Sequence, residues 1–254
     1  MILLHRLTPF AIGLAVALGF ASLLRDWTGP FTALVATSAA VMLLCARLLR
    51  FHLRTFAFWN LLGTPVLYLL ATFGLLLLME NPLFALLLAI VCILLVTLFY
   101  EYVFQYIHLP ARYQPFSIEY LSLLLNVLTV FSLSSVAYGL LLLVQAPLFL
   151  LSLLFLLLAF FILYGTLIVS KAEESRARPY ALSGAVLTTE VFVALAFLPS
   201  GLYTNAVLIT LFFYFFLGLT RAQVIGKLSA SVLRRYLIVA AVLLLIVLAS
   251  TNWF

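Results

Sequence analysis

Glu190 stands alone in the middle of an apolar stretch, Ala181–Gly201 (ALSGAVLTTEVFVALAFLPSG). The other acidic residues sit at the edges of apolar spans or between them. A carboxylate at that depth in lipid costs roughly 2.5–3.5 kcal/mol on insertion scales, so it calls for a partner, a proton or water. Two chemistries fit: a proton carrier or ligand counter-charge, and a neutral hydrogen bond that fixes helix packing. Ser183, Gly184 and Ala194 accompany Glu190 as small residues suited to helix contact, so the carboxyl is expected to face protein.

Two further polar sets enter apolar spans. Ser122, Asn126, Thr129, Ser132, Ser135 and Gly139 recur every three or four residues, which is one face of a helix. That face reads either as a polar path or as a close-packing stripe. Asn60, Gly63 and Thr64 precede Pro65, which removes a backbone donor and favours a kink. Asn60, Asn126, Thr129 and Glu190 are therefore the candidate intramembrane site.

A second candidate lies in Glu101–Ser117 (EYVFQYIHLPARYQPFS) and just beyond it. A helix continuing through Glu101 would place Gln105 and His108 on its face at i+4 and i+7. With Arg112 and Glu119 nearby, Glu101 and His108 suggest head-group binding or proton exchange; the alternative is an aromatic belt at the interface. A third set, Arg221, Lys227, Arg234 and Arg235, flanks the apolar face Val224, Ile225, Leu228 and Val232. It reads as a helix on the cytoplasmic leaflet whose cations contact anionic head groups.

The elements that must hold these residues are membrane helices. The chain is 67% hydrophobic and 8% charged over 254 residues, against about 25% charged in a soluble domain. Nine apolar spans are expected, at about 7–24, 31–46, 55–79, 83–100, 118–144, 148–170, 180–198, 203–220 and 236–251, each suited to a hydrocarbon core of about 30 Å. The first begins with His5 and Arg6 and contains Ala15-Val16-Ala17, which mimics a signal-peptide cleavage site. Its apolar run to Leu24 is long for such a peptide, and a first transmembrane helix is expected. Tight turns such as Glu80-Asn81-Pro82 and Gln145-Ala146-Pro147 separate other spans.

With the N-terminus cytoplasmic, every Lys and Arg except Arg25 falls on the inner side, twelve of thirteen. That split supports the span count as well as the orientation and puts the C-terminus outside. The fold class is thus an all-α, polytopic integral membrane bundle, one transmembrane domain with no soluble domain. The expected location is a bacterial cell (inner) membrane.

Several chemistries lack their residues. There is no P-loop and no paired-histidine metal motif, and Cys45 and Cys92 lie apart inside apolar spans. No metal or cofactor is expected, and the basic residues are too dispersed for nucleic acid. The leading functional expectation is a small permease with Glu190 as its buried ionisable centre. The alternatives are a membrane subunit assembling with a partner protein or with itself, and a lipid-handling enzyme using Glu101, His108, Arg112 and Glu119. Catalysis ranks behind the other two.

Overall fold

A computed structural model describes residues 6–49, 55–170, 172–198, 200–224, 226 and 228–250. Among them the chain forms nine α-helices: α1 Thr8–Leu24, α2 Pro30–Leu48, α3 Phe56–Leu76, α4 Pro82–His108, α5 Ser117–Leu143, α6 Leu148–Val169, α7 Glu174–Ala196, α8 Leu202–Val224 and α9 Ala230–Ser250. Eight of these are long and apolar enough to cross a membrane; α1 is also apolar but has 17 residues. The chain is a polytopic helical membrane protein. Its outward side chains agree: Phe149 is 82% exposed and Phe31 75%, a surface that only lipid solvates cheaply.

Local chemistry sets most boundaries. Pro30 and Pro82 open α2 and α4, where a missing N–H costs nothing. Asn81 caps α4 by accepting a 2.9 Å hydrogen bond from the Leu83 amide. The α4 helix runs to His108, eight residues beyond its expected end, because nothing before Pro110 opposes a helix. The α5 helix is continuous over 27 residues. The α7 helix starts at Glu174, absorbing most of the charged segment expected to be a loop. Pro179 is tolerated near its start.

One expected element is corrected. Residues 221–235 do not form a separate surface helix: α8 ends at Val224 and α9 begins at Ala230. Between them Gly226 takes φ +71°, a left-handed turn that ends α8 and turns the chain back. Ile225 and Lys227 lie outside the described residues, as do the basic hinge residues Arg50, His52 and Arg54.

The chain divides into two compact units, Met1–Leu125 and Asn126–Phe254, with the boundary inside α5. In the first, α1 packs on α2 and α4, and α3 packs on the same two. Glycines permit the close approach: a β-carbon on Gly13 would strike Thr97 of α4, and one on Gly19 would strike Thr37 of α2. Phe20 stacks on Phe73 at 4.5 Å between ring centroids. Cys45 and Cys92 are free and buried, as expected of small core residues.

In the second unit α6 packs on α7, α7 on α8, and α8 on α9. Phe192 of α7 stacks on both Phe155 and Tyr138, each at 4.7 Å, and the Tyr138 hydroxyl donates to the Phe192 carbonyl at 3.0 Å. Gly184 receives the edge of Phe216, and Gly218 receives Tyr236.

Candidate functional site

The α7 helix positions Glu190, and the side it buries is turned well away from the carboxyl. Its packed face is Ala177, Ala181, Gly184, Ala185, Thr188 and Phe192. Ala177, Ala181, Gly184 and Thr188, spaced three or four apart, are small and let α6 and α8 approach closely. Glu190 is exposed, together with Ser183, Leu187, Ala194 and Phe197. The expectation that Glu190 is buried against protein is therefore corrected. The reason is angular: at 100° per residue Gly184 sits about 120° from Glu190, whereas Ser183 and Ala194 sit within about 40°. The packing stripe was legible as Ala177, Ala181, Gly184 and Thr188, but a reading centred on the carboxylate passed over it.

The exposed carboxyl lies in a shallow groove of about 400 Å³ lined by Leu156 of α6 and by Val186, Thr189, Val193 and Ala194. Thr189 is the one other polar side chain there, and its hydroxyl is already donated to the Ala185 carbonyl at 2.8 Å. Among the described residues no hydrogen bond or ion pair reaches Glu190; the ion pairs are Arg176–Glu173 and Arg178–Glu174, near the start of the same helix.

The α5 stripe is buried throughout: Ser122, Asn126, Thr129, Ser132 and Ser135 are each at most 3% exposed, and Gly139 is buried too. Asn126 donates from Nδ2 to Thr166 Oγ1 of α6 at 2.7 Å, and that hydroxyl in turn donates to the Ile162 carbonyl at 2.7 Å. Ser135 bonds back to the Phe131 carbonyl at 2.9 Å. The stripe is helix-packing surface with its polar groups turned inward. Asn126 is thus buried between α5 and α6, while Glu190 faces away from the packed side of α7, so the two are not gathered into one site.

Asn60 belongs to the first unit. It is 3% exposed, and its Oδ1 accepts from Thr64 Oγ1 at 3.1 Å while its Nδ2 is buried with no hydrogen-bond partner. This orphan donor is costly in a membrane core, where no water relieves it.

The candidate set at the end of α4 separates into pairs. Gln105 Nε2 donates to Glu101 Oε1 at 3.0 Å, one turn apart, as the expected helical face requires. His108 lies against Phe104 with 5.2 Å between rings. Across the turn, the Tyr113 hydroxyl donates to Glu119 Oε2 at 3.2 Å and accepts from the Ile118 amide at 3.4 Å. Burial raises the Tyr113 phenol above its ordinary value, the Ile118 amide works against this, and the Glu119 carboxylate adds to it. Arg112 is exposed. Glu101 is thus paired with Gln105 within α4, and Glu119 with Tyr113 across the turn.

Of the basic set, Arg234 and Arg235 are exposed on α9 and Arg221 is half-buried on the last turn of α8. Lys227 lies outside the described residues. One polar contact escaped the sequence reading: the Tyr164 hydroxyl donates to Glu174 Oε1 at 3.1 Å, joining the end of α6 to the start of α7. Among the described residues no three His, Cys, Asp or Glu side chains are grouped to hold a metal ion. No protein-family model, curated protein or solved structure matches the chain.

Proposed function

We propose that this chain is a membrane subunit that assembles laterally with another membrane protein, seating a partner helix on the outer face of α7. The observation that carries this reading is Glu190, a carboxyl turned outward at the middle of an apolar helix face. Left in lipid it costs roughly 2.5–3.5 kcal/mol. A partner helix presenting a hydrogen-bond donor or a cation at that depth removes most of the penalty. A permease centred on Glu190 needs a polar enclosure around the carboxyl, and the groove lining is apolar apart from Thr189.

The exposed residues Ser183, Leu187, Glu190, Ala194 and Phe197 follow steps of 4, 3, 4 and 3, the seam of a left-handed helix pair with one polar position at its centre. A single polar residue in such a seam fixes register and partner. Among the described residues the asparagines within the spans, Asn60, Asn126 and Asn205, are all buried. Its cations lie at span ends. The complementary donor is therefore assigned to a different protein. We place α1 to α9 as nine spans with the N-terminus in the cytoplasm and the C-terminus outside, in a bacterial inner membrane.

The test is a photo-crosslinking amino acid at Leu187 or Ala194, activated in native membranes. The expected result is one adduct of discrete added mass that disappears with Glu190→Leu and is absent when the probe replaces Phe84 on α4. Adducts that persist in Glu190→Leu would refute the assignment of the seat. An adduct at twice the chain's own mass would hand the seat to a second copy.

A further inference from the structure

We propose that the outer face of α9, near its junction with α8, forms a discrete site for one anionic phospholipid, independent of the α7 seat. Two separate features meet here. The first is charge. Arg221, Lys227, Arg234 and Arg235 fall within fifteen residues, and no acidic residue follows Glu190 anywhere in the chain. The turn at Gly226 reverses the chain, so the last turn of α8 lies beside the second turn of α9. Tyr236 confirms the juxtaposition: its ring occupies the space left by Gly218 and stands 5.8 Å from the Tyr214 ring. Arg221 and the Arg234–Arg235 pair are thus held at one end of the helix pair.

The second feature is apolar. A shallow groove of about 390 Å³ runs along α9, lined by Ala230, Leu233, Arg234, Leu237, Ile238 and Ala241. Ala230 and Ala241 lie at its two ends, and Arg234 is its one charged lining residue. From Arg234 to Ala241 the groove descends about 10 Å along the helix. Every other side chain lining it is hydrocarbon.

A guanidinium above an apolar slot matches an amphiphile whose phosphate sits at the top and whose chain lies below. Guanidinium offers a bidentate fork to phosphate oxygens. An excess of cations with no compensating acid selects a lipid of net negative charge over a zwitterionic one. Free phosphate would satisfy Arg234 and leave the groove unfilled; an apolar peptide would fill the groove and leave the Arg234 charge unmatched. The occupant assigned is therefore an anionic phospholipid of the surrounding leaflet.

The test is native mass spectrometry of the full chain in detergent, titrated with phosphatidylglycerol or phosphatidylcholine. The expected result is one tightly retained phosphatidylglycerol, preferred over phosphatidylcholine. Arg234→Gln should weaken retention about fivefold, the factor that one cation near an anionic surface carries. Leu237→Trp, which fills the slot with the charge intact, should weaken it to a similar degree. Arg47→Gln, an exposed cation near the end of α2, should leave it unchanged, and excess inorganic phosphate should not displace the lipid. Diffuse surface attraction predicts the reverse pattern, with Arg47→Gln as harmful as Arg234→Gln and Leu237→Trp silent. Either of those results, or full displacement by inorganic phosphate, overturns the site.

Discussion

Asn126 and Thr166 form the buried polar contact best suited to measurement. The amide donates at 2.7 Å to a hydroxyl that already donates to the Ile162 carbonyl, so Thr166 uses both its roles. Removing the amide leaves Thr166 with one bond, not none. The cost of Asn126→Leu should therefore be moderate, roughly 0.5–2 kcal/mol, the range of hydrogen bonds between membrane helices. Thr166→Val should cost a similar amount, because it orphans the Asn126 donor. The two changes share one bond, so the double variant should cost less than their sum by about 0.6–1.7 kcal/mol. Reversible unfolding in mixed micelles measures all three. Full additivity would show that Asn126 finds other partners and that the α5 stripe is not the contact described. At the same scale Glu190 separates what a sequence reveals from what it conceals. Its depth followed from counting along the span. Its direction depended on which of several small-residue faces packs, and Ser183 and Gly184 are adjacent in sequence but about 100° apart on the helix.

Helix α1 meets α2 through Gly19, where an added β-carbon would collide with the Thr37 hydroxyl and lie 2.8 Å from its methyl and 2.9 Å from its β-carbon. The β-carbon cannot rotate away, so Gly19→Ala should push the helices apart and cost about 1–3 kcal/mol, as overpacking does. Thr37→Ala in the same chain should recover part of that loss. Gly201→Ala, with nothing within 4 Å, supplies the neutral comparison. Thermal aggregation in detergent ranks the variants, and equal stability of Gly19→Ala and Gly201→Ala would refute the close contact. The elements themselves were largely legible. Runs of apolar residues bounded by proline turns marked all nine helices to within a few residues at most ends. The misplaced ends share a cause. Falling hydropathy predicts a helix end before Glu101 and a loop around Glu174, yet backbone hydrogen bonding continues wherever no residue forbids it. The Glu101–Gln105 and Glu174–Arg178 pairs support those turns from the side. The opposite error fell at residues 221–235, where amphipathic spacing suggested one helix and Gly226, at φ +71°, breaks it.

At the scale of the whole chain the open quantity is parity, and α1 decides it. Its 17 residues rise about 25 Å, short of a 30 Å hydrocarbon core by an amount that the flanking Leu7 and local thinning can supply. It is held on both α2 and α4, two helices long enough to cross. The nine spans proposed above require that α1, packed on these two helices, cross as well. On that proposal the termini fall on opposite sides and twelve of the thirteen basic residues on the inner one. Single cysteines test this directly, because the native Cys45 and Cys92 are buried and leave little background. Gly29→Cys, Asn81→Cys, Gln145→Cys and Ser200→Cys should react with an impermeant maleimide added outside intact cells. Arg112→Cys, Glu174→Cys and Gly226→Cys should react only after permeabilisation. An N-terminal tag should be shielded from external protease while a C-terminal tag is cleaved. If α1 failed to cross, the labelling of all seven cysteines would be unchanged and the N-terminal tag alone would become accessible, so the tag result isolates α1 from every other helix.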